Sequence, residues 1–167
     1  MIDTTNVLIR HATEADLPAL EWEGEYRRYR RIYQRAMEDA RQGRRILFVA
    51  EIEGEIVGQI FVQISHYRSS QEDISKTGYL QSFRIKLPFR NRGIGTRLVY
   101  QAEEALKERG FNRAIIAVAQ DNQDARRLYE RHGYSVFNED PGEWSFIDDQ
   151  GLPQYMSEPA YLMEKQL

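Results

Sequence analysis

The most informative stretch of this sequence is Phe89-Arg90-Asn91-Arg92-Gly93-Ile94-Gly95-Thr96. It lies between a strand-like run, Tyr79 to Leu87, and a helix-like run, Ile94 to Arg109. Two glycines separated by one residue let the backbone curl there, so that several N–H groups point outward at the positive end of a helix dipole. Arg90 and Arg92 add positive charge beside the loop. The pattern predicts a phosphate-bearing cofactor held mainly by backbone.

The spacing of the loop separates it from two common phosphate-binding motifs. The dinucleotide fingerprint G-x-G-x-x-G needs a third glycine or alanine, and that position is Leu98. The Walker pattern is absent because no lysine follows Gly95. What is left is R-x-x-G-x-G, formed by Arg90, Gly93 and Gly95, which resembles the acetyl-CoA pyrophosphate loop of the GNAT superfamily of N-acetyltransferases. A glycine-rich turn before an ordinary surface helix is the alternative reading of this loop alone.

A second segment, Val118 to Tyr134, supports the same resemblance. In that family the motif reads approximately N-x-x-A-x-x-L-Y-x-x-x-G-[FY]. The residues that match it are Asn122, Ala125, Leu128, Tyr129, Gly133 and Tyr134. Two motifs in the expected order are more specific than either alone. One departure is that proline stands at Pro88, one position later than the family pattern.

The resemblance implies where acetyl-CoA would bind. The pantetheine arm would enter a gap between two parallel strands that splay apart, Tyr79–Leu87 and Arg113–Val118, and the pyrophosphate would lie on the loop. The candidate cofactor-binding residues are Phe83, Arg84, Ile85, Arg90, Asn91, Arg92, Gly93, Ile94, Gly95, Thr96 and Asn122. On the strand the contacts would be made by main-chain groups. Asn122 has a second possible role, as the cap of the helix that follows it.

The same resemblance places Tyr129 near the sulfur of CoA, where its hydroxyl would act as a general acid for the leaving thiolate. The alternative is that Tyr129 only packs on the inner face of its helix. No general base is indicated, because Gln81 occupies the fourth-strand position where many relatives carry a carboxylate. Glu25, Glu139 and Asp148 are candidates by location only, and a water chain to a distant carboxylate is equally compatible.

Composition and charge limit the classes of protein that fit. The 167 residues are sized for one domain, residues 1–167. There is no cysteine, which excludes disulfides, thiolate metal sites and an acyl-cysteine intermediate. The net charge of −3 argues against nucleic acid as a partner, and His11, His66 and His132 show no metal-ligand spacing. The sequence shows no signal-peptide pattern and no apolar run near the ~20 residues that span a bilayer. We therefore expect a cytoplasmic enzyme with no metal and no membrane partner.

Hydrophobic periodicity and turn residues predict an α/β pattern. A strand at Val7–Arg10 precedes a helix start capped by Thr13, a long helix from Tyr26 to Gln42, and a hairpin at Glu53-Gly54. The later segments are a polar loop from Tyr67 to Lys76, strand Ala114–Val118, a helix from Asp121 or Asn122 to Gly133, and strands Tyr134–Phe137 and Tyr161–Glu164. The resemblance implies the GNAT fold, a mixed twisted sheet of about seven strands with about four helices, strands four and five splayed.

The connection from Glu139 to Pro159 is longer than usual and suggests an inserted hairpin, Trp144–Ile147 with Leu152–Tyr155. We expect this hairpin and the start of the helix at Tyr26 to form the acceptor site. Its aromatic and acidic residues are Tyr26, Tyr29, Trp144, Phe146, Glu25, Asp148 and Asp149. Aromatic walls with carboxylates suit a cationic amine. The alternative is a homodimer interface, where Trp and Tyr are enriched, and both roles can coexist.

The leading functional hypothesis is an acetyl-CoA-dependent N-acetyltransferase acting on a primary amine of a small molecule or protein. A non-catalytic CoA-binding or sensing module is the second, and transfer of another acyl group is a third. Modification of charged tRNA is disfavoured by the acidic net charge, because that substrate demands a basic face.

Overall fold

The computed structural model describes residues 6–64 and 76–167. His66 and the predicted loop from Tyr67, except its last residue, lie outside these ranges. The strands are β1 Leu8–His11, β2 Arg45–Ile52, β3 Glu55–Gln63, β4 Thr77–Ile85, β5 Arg113–Ala119, β6 Ser135–Asp140, β7 Glu143–Ile147, β8 Pro153–Ser157 and β9 Ala160–Gln166. The helices are α1 Arg30–Arg41, α2 Ile94–Glu108 and α3 Gln123–Arg131, with 3₁₀ helices at Glu14–Gly24, Arg27–Tyr29 and Leu87–Phe89.

The main sheet has seven strands in the order β1-β2-β3-β4-β5-β9-β6, and β7 with β8 forms a separate hairpin. Its pairs are antiparallel except β4 with β5, which run parallel. Their pairing ends at Leu80 opposite Ile116, although β4 continues to Ile85 and β5 to Ala119. The two strands therefore separate beyond this point, and the expected mixed sheet with splayed fourth and fifth strands is confirmed. We call the space between residues 81–85 and 117–119 the gap.

A hydrophobic core lies on each face of the sheet. On the α2 face, the apolar side of α2 packs against the strands through buried residues that include Ile94, Leu98, Ala102, Ala105 and Leu106. On the α1 face, Tyr33, Ala36 and Met37 of α1 pack on Leu47 and Phe61. Helices on both faces bury the central strands, and so their sequences read as long apolar runs.

The predicted single helix from Tyr26 to Gln42 is wrong at its start. The chain forms a 3₁₀ turn at Arg27–Tyr29 and enters α1 only at Arg30. Tyr26 (φ −116°, ψ 24°) and Tyr29 (φ −94°, ψ 9°) depart from α-helical dihedrals. Their rings make tertiary contacts with β4 and with the hairpin, and these contacts override the helical periodicity of the sequence. The tyrosines thereby face the end of β4.

The predicted inserted hairpin is confirmed as β7 and β8, paired from Glu143 opposite Ser157 to Ile147 opposite Pro153. Asp148 stabilises its turn, because its Oδ1 accepts from the N–H groups of Gln150 and Leu152, both at 2.9 Å. Within the described ranges, none of the helices has the length and apolar character needed to cross a lipid bilayer.

Candidate active site

The loop before α2 has the backbone geometry of an anion-binding site. Gly93 (φ 83°) is the N-cap of α2, and Asn91 (φ 61°) also has left-handed backbone. Such residues, together with the unbonded N–H groups of a first helical turn, direct N–H groups outward. A Cβ added to Gly93 would meet nothing within 4 Å, so the space beside the loop is open. The geometry fits the predicted pyrophosphate loop, whose occupancy by CoA stays a prediction.

The two arginines of the loop differ in how firmly they are held. Arg90 Nε donates a hydrogen bond of 2.8 Å to the carbonyl oxygen of Ile85 and so ties the loop to the end of β4. Arg92 Nε lies 3.5 Å from the Pro88 carbonyl oxygen, at the outer limit of a hydrogen bond. Arg92 is exposed and is the less constrained positive charge of the pair.

Gly95 serves packing between α2 and β4. A Cβ added there would lie 3.1 Å from the Phe83 ring, so only glycine allows this approach without displacing the ring. Gly95 has no left-handed backbone, in contrast to Gly93. Obstruction of a ligand by an added Cβ is therefore better tested at Gly93, because a change at Gly95 would also disturb β4.

Tyr129 lies on α3 beneath the gap, with its ring centroid 6.1 Å from that of Phe83. The residue is 5% exposed, and burial raises the pKa of its hydroxyl above the usual value. Within the described part of the chain this hydroxyl has no hydrogen-bond partner. The nearby Tyr134 differs, because its hydroxyl donates to Glu103 Oε2 at 2.8 Å. A phenol hydroxyl with no partner of its own can donate to a bound molecule.

Asn122 caps α3, since its Oδ1 accepts from the N–H of Ala125 at 3.1 Å. The capping role weighed from the sequence is confirmed. Its contact with the cofactor stays a prediction. The Asn122 side-chain amide nitrogen is the group that this cap leaves available to a ligand at the end of β5.

Neighbouring side chains of β4 point to opposite faces of the sheet. Ser82 (φ 52°) lies at a register irregularity between β3 and β4. Phe83 and Ile85 pack on the α2 face, whereas the Arg84 guanidinium lies on the α1 face, 3.5 Å from the Tyr26 ring centroid. The side chains of residues 83–85 therefore cannot all contact one ligand, whereas their main-chain groups can hydrogen-bond to one extended ligand along the strand. The Arg84 side chain belongs to the other side of the gap.

The aromatic residues expected at the acceptor site come together in the structure. Tyr29 lies between α1 and the hairpin, with its ring centroid 5.0 Å from Phe146 and 6.2 Å from Trp144. Of the three expected acids, one makes its hydrogen bonds inside the hairpin. Asp148 uses its oxygens within the turn, where Oδ2 also accepts from Gln154 Nε2 at 2.9 Å. Asp148 thus stabilises the turn, and its contact with a cationic amine stays a prediction.

Gln81 is held firmly on the α1 face. Its Oε1 accepts from Arg45 Nη1 at 2.7 Å, and its Nε2 donates to Gln63 Oε1 at 2.8 Å. Arg45 also donates to Asp39 at 3.1 Å. Burial alone would raise the Asp39 pKa, but hydrogen bonds and charge from Arg44 and Arg45 hold it below the usual value. A carboxylate stabilised in this way is a weak proton acceptor.

Sequence reasoning missed three residues that meet at Arg84, namely Trp22, Tyr33 and Gln59. Trp22 and Tyr33 lie against the guanidinium, at 5.3 Å and 5.7 Å from ring centroid to Cζ. Gln59 is fully buried and pairs with Arg84 in the register of β3 and β4. The available signal was the position of Gln59, a polar residue inside the apolar run of a central strand.

A model of the acetyltransferase (GNAT) family matches residues 10–134 of this chain. A probable N-acetyltransferase camello from Xenopus tropicalis is 32% identical over 52% of this chain and 37% of its own length. An N-alpha-acetyltransferase from Sulfurisphaera tokodaii is 32% identical over 52% of this chain and 54% of its own. The match therefore spans about half or less of these relatives.

A solved structure also resembles the chain over nearly its whole length. The PaiA N-acetyltransferase of Thermoplasma acidophilum, in complex with coenzyme A, superposes with a TM-score of 0.72 at 16% identity, over 98% of this chain and all of that one. At this identity the likeness shows the fold. The family model covers most of the chain and both of its motifs, and the chain therefore belongs to the acetyltransferase (GNAT) family.

Proposed function

We propose that this protein is an acetyl-CoA-dependent N-acetyltransferase that acts on a primary amine of a small molecule or protein. One observation carries the proposal. Gly95 of the N–H loop and the Tyr129 ring both approach Phe83, which lies in the part of β4 that β5 leaves unpaired. An extended molecule with an anion at one end and a reactive group at the other fits that arrangement.

The proposed cofactor contacts use backbone for the most part. The pyrophosphate accepts hydrogen bonds from the N–H groups of residues 91–96, where the helix dipole favours negative charge. Arg92 adds charge from the exposed side, and Arg90 fixes the loop through its bond to Ile85. The pantetheine arm pairs with the main chain of residues 83–85, which β5 leaves unpaired beyond Leu80. The complex of the Thermoplasma protein with coenzyme A supports acetyl-CoA as the cosubstrate.

The chemistry joins an amine to a thioester carbonyl. The nitrogen lone pair of the neutral amine attacks the carbonyl carbon, a C–N bond forms, and the C–S bond breaks with its electrons going to sulfur. Tyr129 donates its proton to the leaving sulfur, the nitrogen releases a proton to water, and water returns a proton to the Tyr129 phenolate, so that the enzyme is regenerated. Because burial raises the pKa of Tyr129, the phenol stays protonated and can donate at neutral pH. Transfer of a longer acyl group would use the same groups and stays an alternative.

The test is a screen of primary amines with acetyl-CoA, in which release of free thiol is followed. We expect thiol release above the rate without protein for at least one class of amine, and a much lower rate for Tyr129→Phe. Absence of release for every amine, with acetyl-CoA still raising the melting temperature, would instead favour the second candidate.

That second candidate is a CoA-binding module without catalysis. One observation favours it, because Gln81 stands at the carboxylate position of many relatives and is bonded on both sides. Such a protein would bind acetyl-CoA and gain stability according to the ratio of ligand concentration to Kd, without turnover.

The hairpin has two proposed uses, an acceptor wall and a homodimer interface. The Trp144 and Phe146 rings pack at a tilt against Tyr29 at the proposed acceptor side. Leu152 and Tyr155, the latter 81% exposed, are available to a second copy. In Trp144→Ala, a raised acceptor KM at unchanged oligomeric state supports the acceptor wall. Unaltered kinetics in a dissociated protein would show an interface.

A further inference from the structure

Four buried side-chain atoms in the described residues lack a hydrogen-bond partner, and all of them lie in one place. They are Trp22 Nε1, Gln59 Nε2, Gln59 Oε1 and Arg84 Nε. Folded proteins pair the great majority of their buried polar atoms, so unpaired atoms that cluster call for a physical explanation. Gln59 is fully buried and faces Arg84 across β3 and β4, while Trp22 lies on the Arg84 guanidinium.

The Arg84 guanidinium is a positive charge without a carboxylate. It stacks on Tyr26, Trp22 and Tyr33 at 3.5, 5.3 and 5.7 Å from their ring centroids, and Nη2 donates to the Tyr33 hydroxyl. Among residues 6–64 and 76–167, no acid lies within ion-pair distance of it. The neighbouring cation, Lys86, has two acidic partners, Glu23 at 3.3 Å and Glu55 at 3.7 Å.

The backbone that carries Trp22 into this cluster is strained. Trp22 (φ 48°) and Glu23 (φ 57°) are successive non-glycine residues in the left-handed region, followed by Gly24 (φ 103°). Residues held in this way persist where the surroundings determine them and are concentrated at ligand sites. In this conformation the Trp22 indole N–H is buried, and the ring lies 5.3 Å from Arg84 Cζ.

The cluster borders the gap from the α1 face. Arg84 is next to Phe83 and Ile85, whose main chain is the proposed binding strand for the pantetheine arm. An acceptor that approaches from this face brings its amine into the gap while another part of it rests on the cluster. Because Arg84 already fills the aromatic cage, the cage cannot also hold the ammonium of an acceptor.

We propose that the acceptor carries a carboxylate, and that Arg84, Gln59 and Trp22 bind it. The inference rests on the proposed function and deepens it. Arg84 Nε and one Nη form the paired donors that match a carboxylate, and the indole N–H and the Gln59 amide nitrogen are further donors. The acceptor class is an amino acid or another amine with a carboxylate a few bonds from the nitrogen.

The test compares acceptors that differ only in this group. Wild-type protein is given acetyl-CoA with amino acids and with their carboxamides. We expect kcat/KM to be higher for the carboxylate by at least about 10²-fold, since a site built for a polar group rejects an analogue that lacks it. Equal rates for both forms overturn the inference and leave the acetyltransferase in place, whereas no thiol release with any amine overturns both.

Two variants test the residues. Gln59→Met removes two unpaired buried polar atoms, so we expect the melting temperature to rise by roughly 2–4 °C while kcat/KM for the carboxylate falls at least about tenfold. A lower melting temperature with unchanged kcat/KM would show instead that buried water satisfies Gln59. Arg84→Met should abolish the preference for carboxylate over carboxamide, with unchanged acetyl-CoA affinity as evidence that it folds.

Arg113→Met is the matched control for loss of a stacked arginine. Arg113 lies 4.9 Å from the Phe137 ring centroid, at the start of β5 and away from the gap. We expect this variant to keep the carboxylate preference. If Arg113→Met loses the preference to the same extent as Arg84→Met, the effect is one of general charge and the assignment to Arg84 is overturned.

Discussion

At the scale of single residues, two neighbouring tyrosines allow a controlled comparison. The ring centroids of Tyr129 and Tyr134 are 6.2 Å apart, and burial raises the pKa of both hydroxyls. Tyr134 donates to Glu103, which also accepts from Lys165 at 2.9 Å, whereas Tyr129 has no partner in the described part of the chain. One hydroxyl is structural, and the other is available to a substrate.

Replacement of Tyr129 by Phe should therefore lower kcat and leave the fold intact. We expect a loss of roughly 10²–10³-fold in kcat with an unchanged Kd for acetyl-CoA, because general acids contribute about that much. Steady-state kinetics with calorimetry of acetyl-CoA binding measure both. In the control, Tyr134→Phe, we expect near-normal kcat and a free energy of unfolding lower by about 1 kcal/mol, from the lost hydrogen bond to a buried acid. Equal kcat for wild type and Tyr129→Phe would make Tyr129 a packing residue.

The raised pKa of Tyr129 also predicts the shape of the pH profile. A phenol whose pKa is raised in the folded state stays protonated below its ordinary value of about 10. We expect kcat to show no falling limb between about pH 7 and about pH 9.5, and Tyr129→Phe to lower the profile without changing its shape. A falling limb in that interval that disappears in Tyr129→Phe would mean that the phenol ionises there.

At the scale of elements, two glycines with similar left-handed backbone dihedrals flank α2, one before the helix and one after it. Gly93 (φ 83°) precedes the helix and Gly110 (φ 81°) follows it, and a Cβ on either would meet nothing within 4 Å. Alanine at either site should cost about 1 kcal/mol of stability through left-handed backbone. Only Gly93→Ala should also raise the Kd for acetyl-CoA, by about tenfold or more, because its Cβ enters the space of the pyrophosphate. Similar Kd values for the two variants would place the cofactor elsewhere.

The 3₁₀ helix that supports Trp22 depends on a capping box at its start. Asp16 accepts from the Thr13 N–H at 2.7 Å and pairs with Arg10, whose hydrogen bond lowers the Asp16 pKa to about 2. A lowered pKa gives stability that is present above the unfolded value of about 4 and is lost as pH falls through about 2. We expect Asp16→Asn to lower the free energy of unfolding by about 1–2 kcal/mol at pH 7 and by less near pH 3.

The control for that measurement is Glu14→Gln, in the same first turn. Glu14 is exposed, and its 2.6 Å pair with Arg41 should contribute less than about 1 kcal/mol. Denaturant unfolding at the two pH values separates the residues. If Asp16→Asn lost as much stability at pH 3 as at pH 7, the contribution of the charge would be contradicted.

The elements also show where sequence reasoning succeeds. Motif spacing and periodicity predicted β4, the loop, α2 and α3, because glycine, capping and apolar patterns are local signals. The start of α1 was wrong, since Tyr26 and Tyr29 follow contacts with distant residues. For the same reason the sequence could not indicate that Arg84 shares the α1 face with Gln81, a consequence of the irregularity at Ser82.

At the scale of the whole molecule, the order of the strands explains the two-sided site. Parallel pairing of β4 with β5 stops at Leu80, and the separated strand ends leave a passage between the two faces of the sheet. The N–H loop and Tyr129 lie on the α2 face, while the aromatic cage of Arg84 and the hairpin lie on the α1 face. We therefore propose that the cofactor enters the gap from the α2 face and that the acceptor enters it from the α1 face.

The most direct test of acetyl transfer is to count both products of one reaction. Free CoA thiol and acetylated amine are measured over the same interval, by thiol titration and mass spectrometry, with the best acceptor of the amine screen. We predict that the two appear in equal amounts and that both are strongly reduced in Tyr129→Phe. Thiol release without acetylated amine, or the same rate in the variant, would contradict an acetyltransferase that uses this gap.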